Sequence, residues 1–258
     1  MIRRRCTRKF AKFLVLALFF IPTISAYGHI YLGGTLAANF AHLGNRSPQI
    51  TYFSGTTITD DYPLKSNNKI TTVYGANGGY EFTSEHMKPT IALGLGIYGN
   101  LGDYHFDGQV VETATGNLSN TLYDYSFNIT STRLMAEIQL NWELSQFAPF
   151  LNFGLGSAWN SMTSYREIAI NGTTYPPLMP FRSHMNNNFA YQVGFGVSTA
   201  INLSSTKSNF EKDRISIGYR YINLGQTTFG TRGPEYPFKL NTGLLQTNEI
   251  YVGYTHLF

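Results

Sequence analysis

Side chains that usually carry out chemistry are thinly spread in this sequence. Its six histidines have no metal-ligand spacing; they are His29, His42, His86, His105, His184 and His256. No G-x-S-x-G motif marks a nucleophilic serine. The nearest approach to a nucleophile–base pair is Ser183 beside His184, in a segment predicted to be a long loop, with no strand to hold the pair rigidly. The sequence therefore predicts no catalytic residue, cofactor site or metal site, and we expect the protein not to be an enzyme.

Ionisable residues do recur in segments that are otherwise alternately apolar. The set comprises Glu81, Arg133, Glu137, Arg220 and Glu249. Carboxylates and guanidiniums that are removed from water must be paired or solvated, and Arg and Glu pair well. Two interpretations stand, a fixed plug of ion pairs and a charged pathway for conduction or gating. Which of them holds depends on the elements that position these residues.

Apolar residues recur at every second position in segments longer than the five or six residues of an ordinary strand. Eight such segments follow one another, from HIYLGGTLAANF to the closing NEIYVGYTHLF. In the last one, Ile250, Val252, Tyr254 and Phe258 share a face, and Glu249 lies on the other, because side chains alternate along a strand. The face opposite the apolar one is glycine-rich or polar throughout, and it carries the ionisable residues.

Connectors between these segments alternate between short and long. The short ones are Thr83–Pro89, Glu143–Ala148 and Ser204–Asp213, and the long polar ones are roughly His42–Lys69, Gly102–Leu122, Asn160–Asn187 and Gln226–Gly243. Short turns at one end and long loops at the other are typical of outer-membrane barrels, and only a closed sheet satisfies its backbone in lipid. The pattern predicts an all-β fold, an eight-stranded antiparallel up-and-down transmembrane β-barrel with four long extracellular loops, over residues 27–258.

Residues 1–26 have the features of a cleaved secretory signal peptide. A basic head precedes an apolar run from Phe13 to Ile21, then Pro22 and a cleavage site after Ala26. The run is too short for a transmembrane helix, which needs about 20 residues. Six of the 19 basic residues lie in this segment, so that 13 basic and 15 acidic residues, a net charge of −2, belong to residues 27–258. The basic pI therefore does not indicate a nucleic-acid partner, and the single cysteine, Cys6, also lies in the predicted signal peptide.

The fourth segment departs from a single alternation. Tyr123, Tyr125, Phe127 and Ile129 occupy odd positions, whereas the apolar residues of Leu134–Trp142 are at even positions. We interpret this change as a β-bulge or as the part of the strand that extends above the membrane.

The segments AYQVGFGVS and IGYRYINLG, the early YLGG and the closing alternation on Phe258 resemble the OmpA-like and opacity-protein family of small outer-membrane β-barrels. The resemblance extends over residues 27–258 and implies location in the outer membrane of a Gram-negative bacterium. It also implies that Ile250, Val252, Tyr254 and Phe258 form the signal read by the barrel-assembly machinery, although His256 departs from the usual aromatic or aliphatic residue. The family includes adhesins, stress porins and structural proteins, so the resemblance implies no particular activity.

Two functions are compatible with the predicted barrel. In the first, ion pairs occlude an interior that is only wide enough for side chains, and the protein is a surface anchor, adhesion or envelope-integrity protein that acts through its loops. The alternative is a narrow pore for small solutes. Expected partners are outer-membrane lipid, the barrel-assembly machinery and a host or surface ligand, with no nucleic acid. The exposed proline- and aromatic-rich segments Thr173–Phe181 and Arg232–Phe238 are interpreted as stiff parts of the loops, with contact to a host protein or receptor as the alternative.

Overall fold

The computed structural model describes residues 27–53, 57–84, 87–114, 120–144, 147–170, 180–201, 212–233 and 237–258. The predicted signal peptide, with cleavage after Ala26, lies outside the described residues, as do most of Thr173–Phe181 and the middle of Arg232–Phe238. In the part of the chain that the structure describes, no helix is long and apolar enough to cross a bilayer.

The fold is built from antiparallel β-strands rich in aromatic and β-branched residues, which favour extended backbone. The strands are β1 Tyr27–Leu43, β2 Gln49–Phe53, β3 Thr57–Asp61, β4 Asn68–Ser84, β5 Met87–Leu101, β6 Tyr104–Ala114, β7 Asn120–Asn141, β8 Phe147–Ala169, β9 His184–Ile201, β10 Lys212–Thr228 and β11 Asn241–Leu257. β7 and β8 have 22 and 23 residues. A tilted strand needs only about 9–11 residues to cross a bilayer, so these two project well beyond it.

Eight strands close into a ring in the order β7-β5-β4-β1-β11-β10-β9-β8, and β8 pairs back with β7. The ladder that closes the ring joins the first and last strands, beginning with Tyr31 opposite Leu257 and including Leu36 opposite Val252. Beyond it, the Phe258 amide donates a hydrogen bond to a β1 carbonyl at 2.9 Å. The predicted eight-stranded barrel is confirmed.

Three more strands, β2, β3 and β6, form a sheet at one end of the ring. β6 continues the line of β5 after a break at Gly102, whose φ is 91°, and it pairs with the first half of β7 from Tyr104 opposite Ile129. β3 pairs with β6, and β2 with β3. Tyr27, Phe258 and the strand ends that flank the short connectors lie at the opposite end of the ring. We therefore assign that opposite end to the periplasm and the added sheet to the extracellular side.

Several predicted loop boundaries are therefore wrong. The segments His42–Lys69 and Gly102–Leu122 contain β2, β3 and β6, and Asn160–Asn187 is shortened because β8 continues to Ala169 and β9 begins at His184. In β6, for example, the polar His105 is exposed and the apolar Tyr104 and Phe106 on either side of it are buried. These segments are polar enough on average to predict loops, although their polar and apolar residues alternate as in a strand.

Within the membrane-spanning part, exposure confirms the predicted assignment of faces. In β11, Ile250, Val252, Tyr254 and Phe258 are exposed, whereas Glu249 is fully buried. The same alternation holds around the ring, where exposed residues include Leu36, Leu95, Leu155, Phe195 and Ile217. These residues form the lipid-facing surface.

In β7 the parity of the inward face does not change. Tyr125 and Phe127 are buried in the same way as Arg133 and Glu137 further along the strand. What changes is the polarity of the inward face, which is aromatic at the extracellular end and charged in the membrane. Above the bilayer the outside is water, so the apolar side chains turn inward. The interpretation as an extramembrane extension is thus correct, and a register shift after Ser126 in the pairing with β8 adds a bulge.

Candidate functional site: the barrel interior

Glu249 lies at the centre of the barrel interior, with 0% exposure. Asn39 on β1 and Arg220 on β10 are its direct neighbours in the two ladders that flank β11. Its carboxylate accepts hydrogen bonds from Asn39 Nδ2 at 2.6 Å, from Arg220 Nε, and from Arg133 Nη2 on β7 at 2.9 Å. One carboxylate therefore connects strands on opposite walls of the ring, and charged donors compensate for its removal from water.

Both arginines also contact the ring of Tyr98 on β5. Arg133 Cζ lies 4.6 Å and Arg220 Cζ 4.4 Å from the ring centroid, and Arg220 Cζ lies 4.7 Å from the centroid of Tyr251. Desolvated cation–π contacts contribute about 2 kcal/mol. The ring occupies space left by a glycine on the adjacent strand, because a Cβ atom on Gly75 would lie 2.1 Å from Tyr98.

Glu137 adjoins this group through neutral donors. Its Oε1 accepts hydrogen bonds from Tyr98 Oη at 2.7 Å and from Gln192 Nε2 at 2.7 Å. We call Arg133, Arg220, Glu249, Glu137 and Tyr98 the lumen hub. Its two guanidiniums and two carboxylates balance in formal charge.

Glu81 lies apart from the lumen hub, toward the periplasmic end. It pairs with Arg214, whose Nη1 is 2.7 Å from a Glu81 oxygen and whose Nη2 is 3.1 Å from Glu143. The structure thus places all five predicted charged residues in the interior, but Glu81 belongs to a separate cluster. Arg214 was missed, although it is an even number of positions from Arg220 on β10 and therefore shares the inward face.

A polar cavity of about 60 Å³ lies between the two charged clusters, with Glu81, Arg214, Glu137 and Arg220 among its lining residues. Arg220 Nη2 and Thr35 Oγ1, both on lining residues, have no hydrogen-bond partner within the described ranges. Ordered water commonly satisfies such groups. The cavity has room for water, whereas pockets for organic ligands are typically about 300–1,000 Å³.

On the extracellular side of the lumen hub the interior becomes apolar. Tyr104, Phe106, Phe127, Ile129 and Phe229 have exposures of 0–1%. The ring centroid of Phe127 lies 5.4 Å from that of Phe106 and 5.3 Å from that of Phe229. We call this group the aromatic layer. It fills the interior where the lumen hub ends, and it was not predicted from the sequence.

Arg232, from the loop after β10, packs at the top of the aromatic layer. It donates hydrogen bonds from Nη1 to Glu167 Oε2 at 3.3 Å and from Nη2 to Tyr62 Oη at 2.9 Å, and its Cζ lies 4.1 Å from the Phe181 ring centroid. The Arg232 side chain thus links three parts of the chain to its own loop: the residue after β3, the end of β8 and the residues before β9. The expectation that Phe181 and Arg232 are exposed at the surface is wrong, because they are 3% and 5% exposed.

Asp60 on β3 lies beside Arg232 and is 6% exposed. Its partner across the β3–β6 ladder is Glu112. Burial, followed by the charge of Glu112, raises the pKa of Asp60 to about 7, against the lowering effect of Arg232.

Within the described part of the chain, which excludes His86, the remaining candidates for chemistry do not assemble into a site. Ser183 and His184 are both exposed at the start of β9. His29 contacts the Phe258 carbonyl oxygen at 3.1 Å, and His256 Nδ1 contacts Asp213 Oδ1 at 2.8 Å. Across the residues that the structure describes, no group of three or more His, Cys, Asp or Glu side chains is arranged to hold a metal ion.

Comparison with solved structures found several outer-membrane proteins of distant sequence. Neisserial surface protein A is 11% identical, with 88% of this chain and 95% of that chain covered and a TM-score of 0.41. OprG from Pseudomonas aeruginosa is 14% identical, with 91% and 98% covered and a TM-score of 0.38. The outer membrane protease OmpT from Escherichia coli is 8% identical, with 92% and 98% covered and a TM-score of 0.42.

Comparison with curated proteins gave no match. The family model described as outer membrane protein β-barrel domain matches residues 11–258. This match agrees with the closed ring of eight strands and its apolar outer surface. The chain therefore belongs to the family of bacterial outer-membrane proteins with this β-barrel domain.

Proposed function

We propose that the protein is an occluded outer-membrane anchor, acting in adhesion or envelope integrity through the sheet and loops that it presents outside the cell. The observation that carries the proposal is the filling of the lumen by two successive layers. The lumen hub places Arg133, Arg220 and Glu249 across the interior, and the aromatic layer around Phe127 follows it. An eight-stranded ring encloses only enough space for such side chains.

A permeating solute would have to displace both layers. Crossing the lumen hub breaks ion pairs between groups that are at most 5% exposed. Crossing the aromatic layer then removes an ion or polar solute from water and brings it against the rings of Phe106, Phe127 and Phe229, which offer no hydrogen bonds, and this is costly. The narrow-pore alternative rests on the polar cavity at the periplasmic side of the lumen hub, where a pathway would begin.

The extracellular sheet supports the surface role. Its outer face is polar and ion-paired, with Lys65 Nζ 3.0 Å from Asp124 and Lys69 Nζ 2.9 Å from Asp107. Such a face suits water or a polar host or surface ligand rather than lipid. The aromatic layer behind it supplies a rigid base for the connecting loops.

The proposed role is non-enzymatic. The buried carboxylate of Glu249 is held by two guanidiniums and an amide, so it is poorly placed to act as a general base. Export through the predicted signal peptide, cleaved after Ala26, is part of the proposal. Recognition by the barrel-assembly machinery through Ile250, Val252, Tyr254 and Phe258 belongs to it as well.

Two experiments test the proposal. The first is liposome swelling with small sugars, in which we expect the wild-type protein to behave as protein-free liposomes; sugar-dependent swelling would favour the narrow pore. The second compares host-cell binding by bacteria that display either the wild type or a variant whose residues 171–179 are replaced by a Gly/Ser segment of equal length. Loss of binding with unchanged folded protein supports adhesion, and unchanged binding excludes this loop as the contact.

A further inference from the structure

The hairpin formed by β2 and β3 is attached to the rest of the extracellular sheet by a short ladder. β3 pairs with β6 through four residue pairs, from Ile58 opposite Ala114 to Asp61 opposite Val111. Within this ladder, Asp60 stands directly opposite Glu112. Residues opposite each other in an antiparallel pair project from the same face, so two like charges meet there and oppose the pairing.

Nearby groups offset this repulsion only in part, because Arg232 and a hydrogen bond from Tyr62 lower the pKa of Asp60 less than burial and Glu112 raise it. The charged and titratable groups that act on Asp60 from the surrounding elements are Glu112 on β6, Glu167 on β8, Arg232 from the loop after β10, Tyr62 after β3 and Tyr123 on β7. Arg232 is the one cation in this set, and it is hydrogen-bonded to Glu167. Asp60 Oδ1 has no hydrogen-bond partner within the described residues.

We propose that protonation of Asp60, opposite Glu112, makes attachment of the β2–β3 hairpin sensitive to the external pH, with tighter attachment in acid. A proton on Asp60 removes its negative charge and with it the repulsion between Asp60 and Glu112. When the pH rises, Asp60 ionises at a buried site. Separation of β3 from β6 then returns its charge to water and removes its repulsion from Glu112. The inference does not depend on whether the loops bind a partner.

The direction follows from linkage. The pKa of Asp60 is raised to about 7 in the closed structure, and an exposed aspartate has a pKa of about 3.9. The closed state therefore holds more protons than the open one between these two values, and its stability falls as the pH rises through them. The equilibrium constant for separation of β3 from β6 should increase by up to about 100-fold between pH 5 and pH 8 and should level off above pH 8.

Amide hydrogen exchange of the folded protein in lipid nanodiscs tests the proposal. Exchange rates of Thr57–Asp61, corrected for the intrinsic rate at each pH, report opening of β3. We expect their protection to fall by up to about 100-fold from pH 5 to pH 8 in the wild type. Asp60→Asn cannot ionise and should remove the pH dependence.

The matched control is Asp124→Asn, which alters an aspartate that is 47% exposed and paired with Lys65 on the outer face. It should leave the pH dependence of β3 unchanged. Equal protection of the wild type at both pH values, or an Asp60→Asn variant that keeps the dependence, would overturn the proposal. If Asp60→Asn fails to fold, NMR titration of the wild-type Asp60 carboxyl decides: a midpoint near 7 supports the proposal, and one near 4 overturns it.

Discussion

Removal of the Glu249 charge tests the lumen hub most severely. In Glu249→Gln, both Arg133 and Arg220 lose their carboxylate, and each of these side chains is at most 5% exposed. Breaking a buried ion pair by removing one partner costs about 3–5 kcal/mol. Arg220→Met should cost less than Glu249→Gln, because Glu249 then keeps Arg133 at 2.9 Å and Asn39 at 2.6 Å.

The double variant Arg220→Met/Glu249→Gln removes one charge of each sign. Arg133 and Glu137 remain, so the formal charge of the lumen hub stays at zero. We therefore expect the double variant to be more stable than the sum of the two single effects by about 1–3 kcal/mol, the range found for directly coupled residues. Glu143→Gln is the control, because Glu143 is 51% exposed beside Arg214 and exposed pairs contribute about 0–1 kcal/mol.

The assay is urea unfolding in lipid vesicles, followed by the change in gel mobility between folded and unfolded protein. Free energies of unfolding for the wild type, both single variants and the double variant complete the cycle. Effects of Arg220→Met and Glu249→Gln that add to within about 0.5 kcal/mol would show that the two residues are not coupled and would refute the proposed network.

Three other substitutions test the faces and the closure of the barrel. Val252→Arg places a charge on the lipid-facing surface and should cost about 2–4 kcal/mol near the middle of the bilayer. Thr255→Arg places the charge in the polar cavity, which Thr255 lines, and should be tolerated better. The two variants are compared by the folded fraction recovered from outer membranes. Gly75→Val should reduce the thermal stability of the folded form, because a Cβ atom there would lie 2.1 Å from the Tyr98 ring, and an unchanged melting temperature would contradict this packing. Deletion of Phe258 removes the amide that donates to the β1 carbonyl and should lower the assembled fraction in membranes, and full assembly would show that closure does not need it.

Period-2 alternation was sufficient to predict the membrane-spanning part of the fold. In β11, Val252 faces lipid and Glu249 faces the lumen. The apolar or charged character of each residue therefore indicates which side of the sheet its side chain occupies. The same rule failed at the extracellular end. There the outside is water, and the inward-facing side chains, such as Tyr104 and Phe106, are apolar. Apolar residues therefore face inward, which is the reverse of the arrangement in the membrane. For this reason the sequence pattern predicts a loop where the structure has a strand.

Partners in the interior were only partly predictable. Inward location of Glu81, Arg133, Glu137, Arg220 and Glu249 follows from parity, but partner choice depends on strand stagger and on which residues face each other across the lumen. That information is absent from local sequence. It determines that Arg133 reaches Glu249 from the opposite wall.

The association of Arg232 with Glu167 and Phe181 was beyond sequence analysis for a related reason. Arg232 and Phe181 lie in two different connections and Glu167 lies near the end of β8, and no periodicity links them. Their contacts arise because the connections fold over the aromatic layer.

Single-channel recording in planar lipid bilayers tests the central claim of an occluded barrel most directly. With purified, folded wild-type protein in concentrated KCl, the two filled layers predict no discrete conductance steps above the bare bilayer. Reproducible steps from the folded protein would contradict the account, since they would show that ions pass both the lumen hub and the aromatic layer.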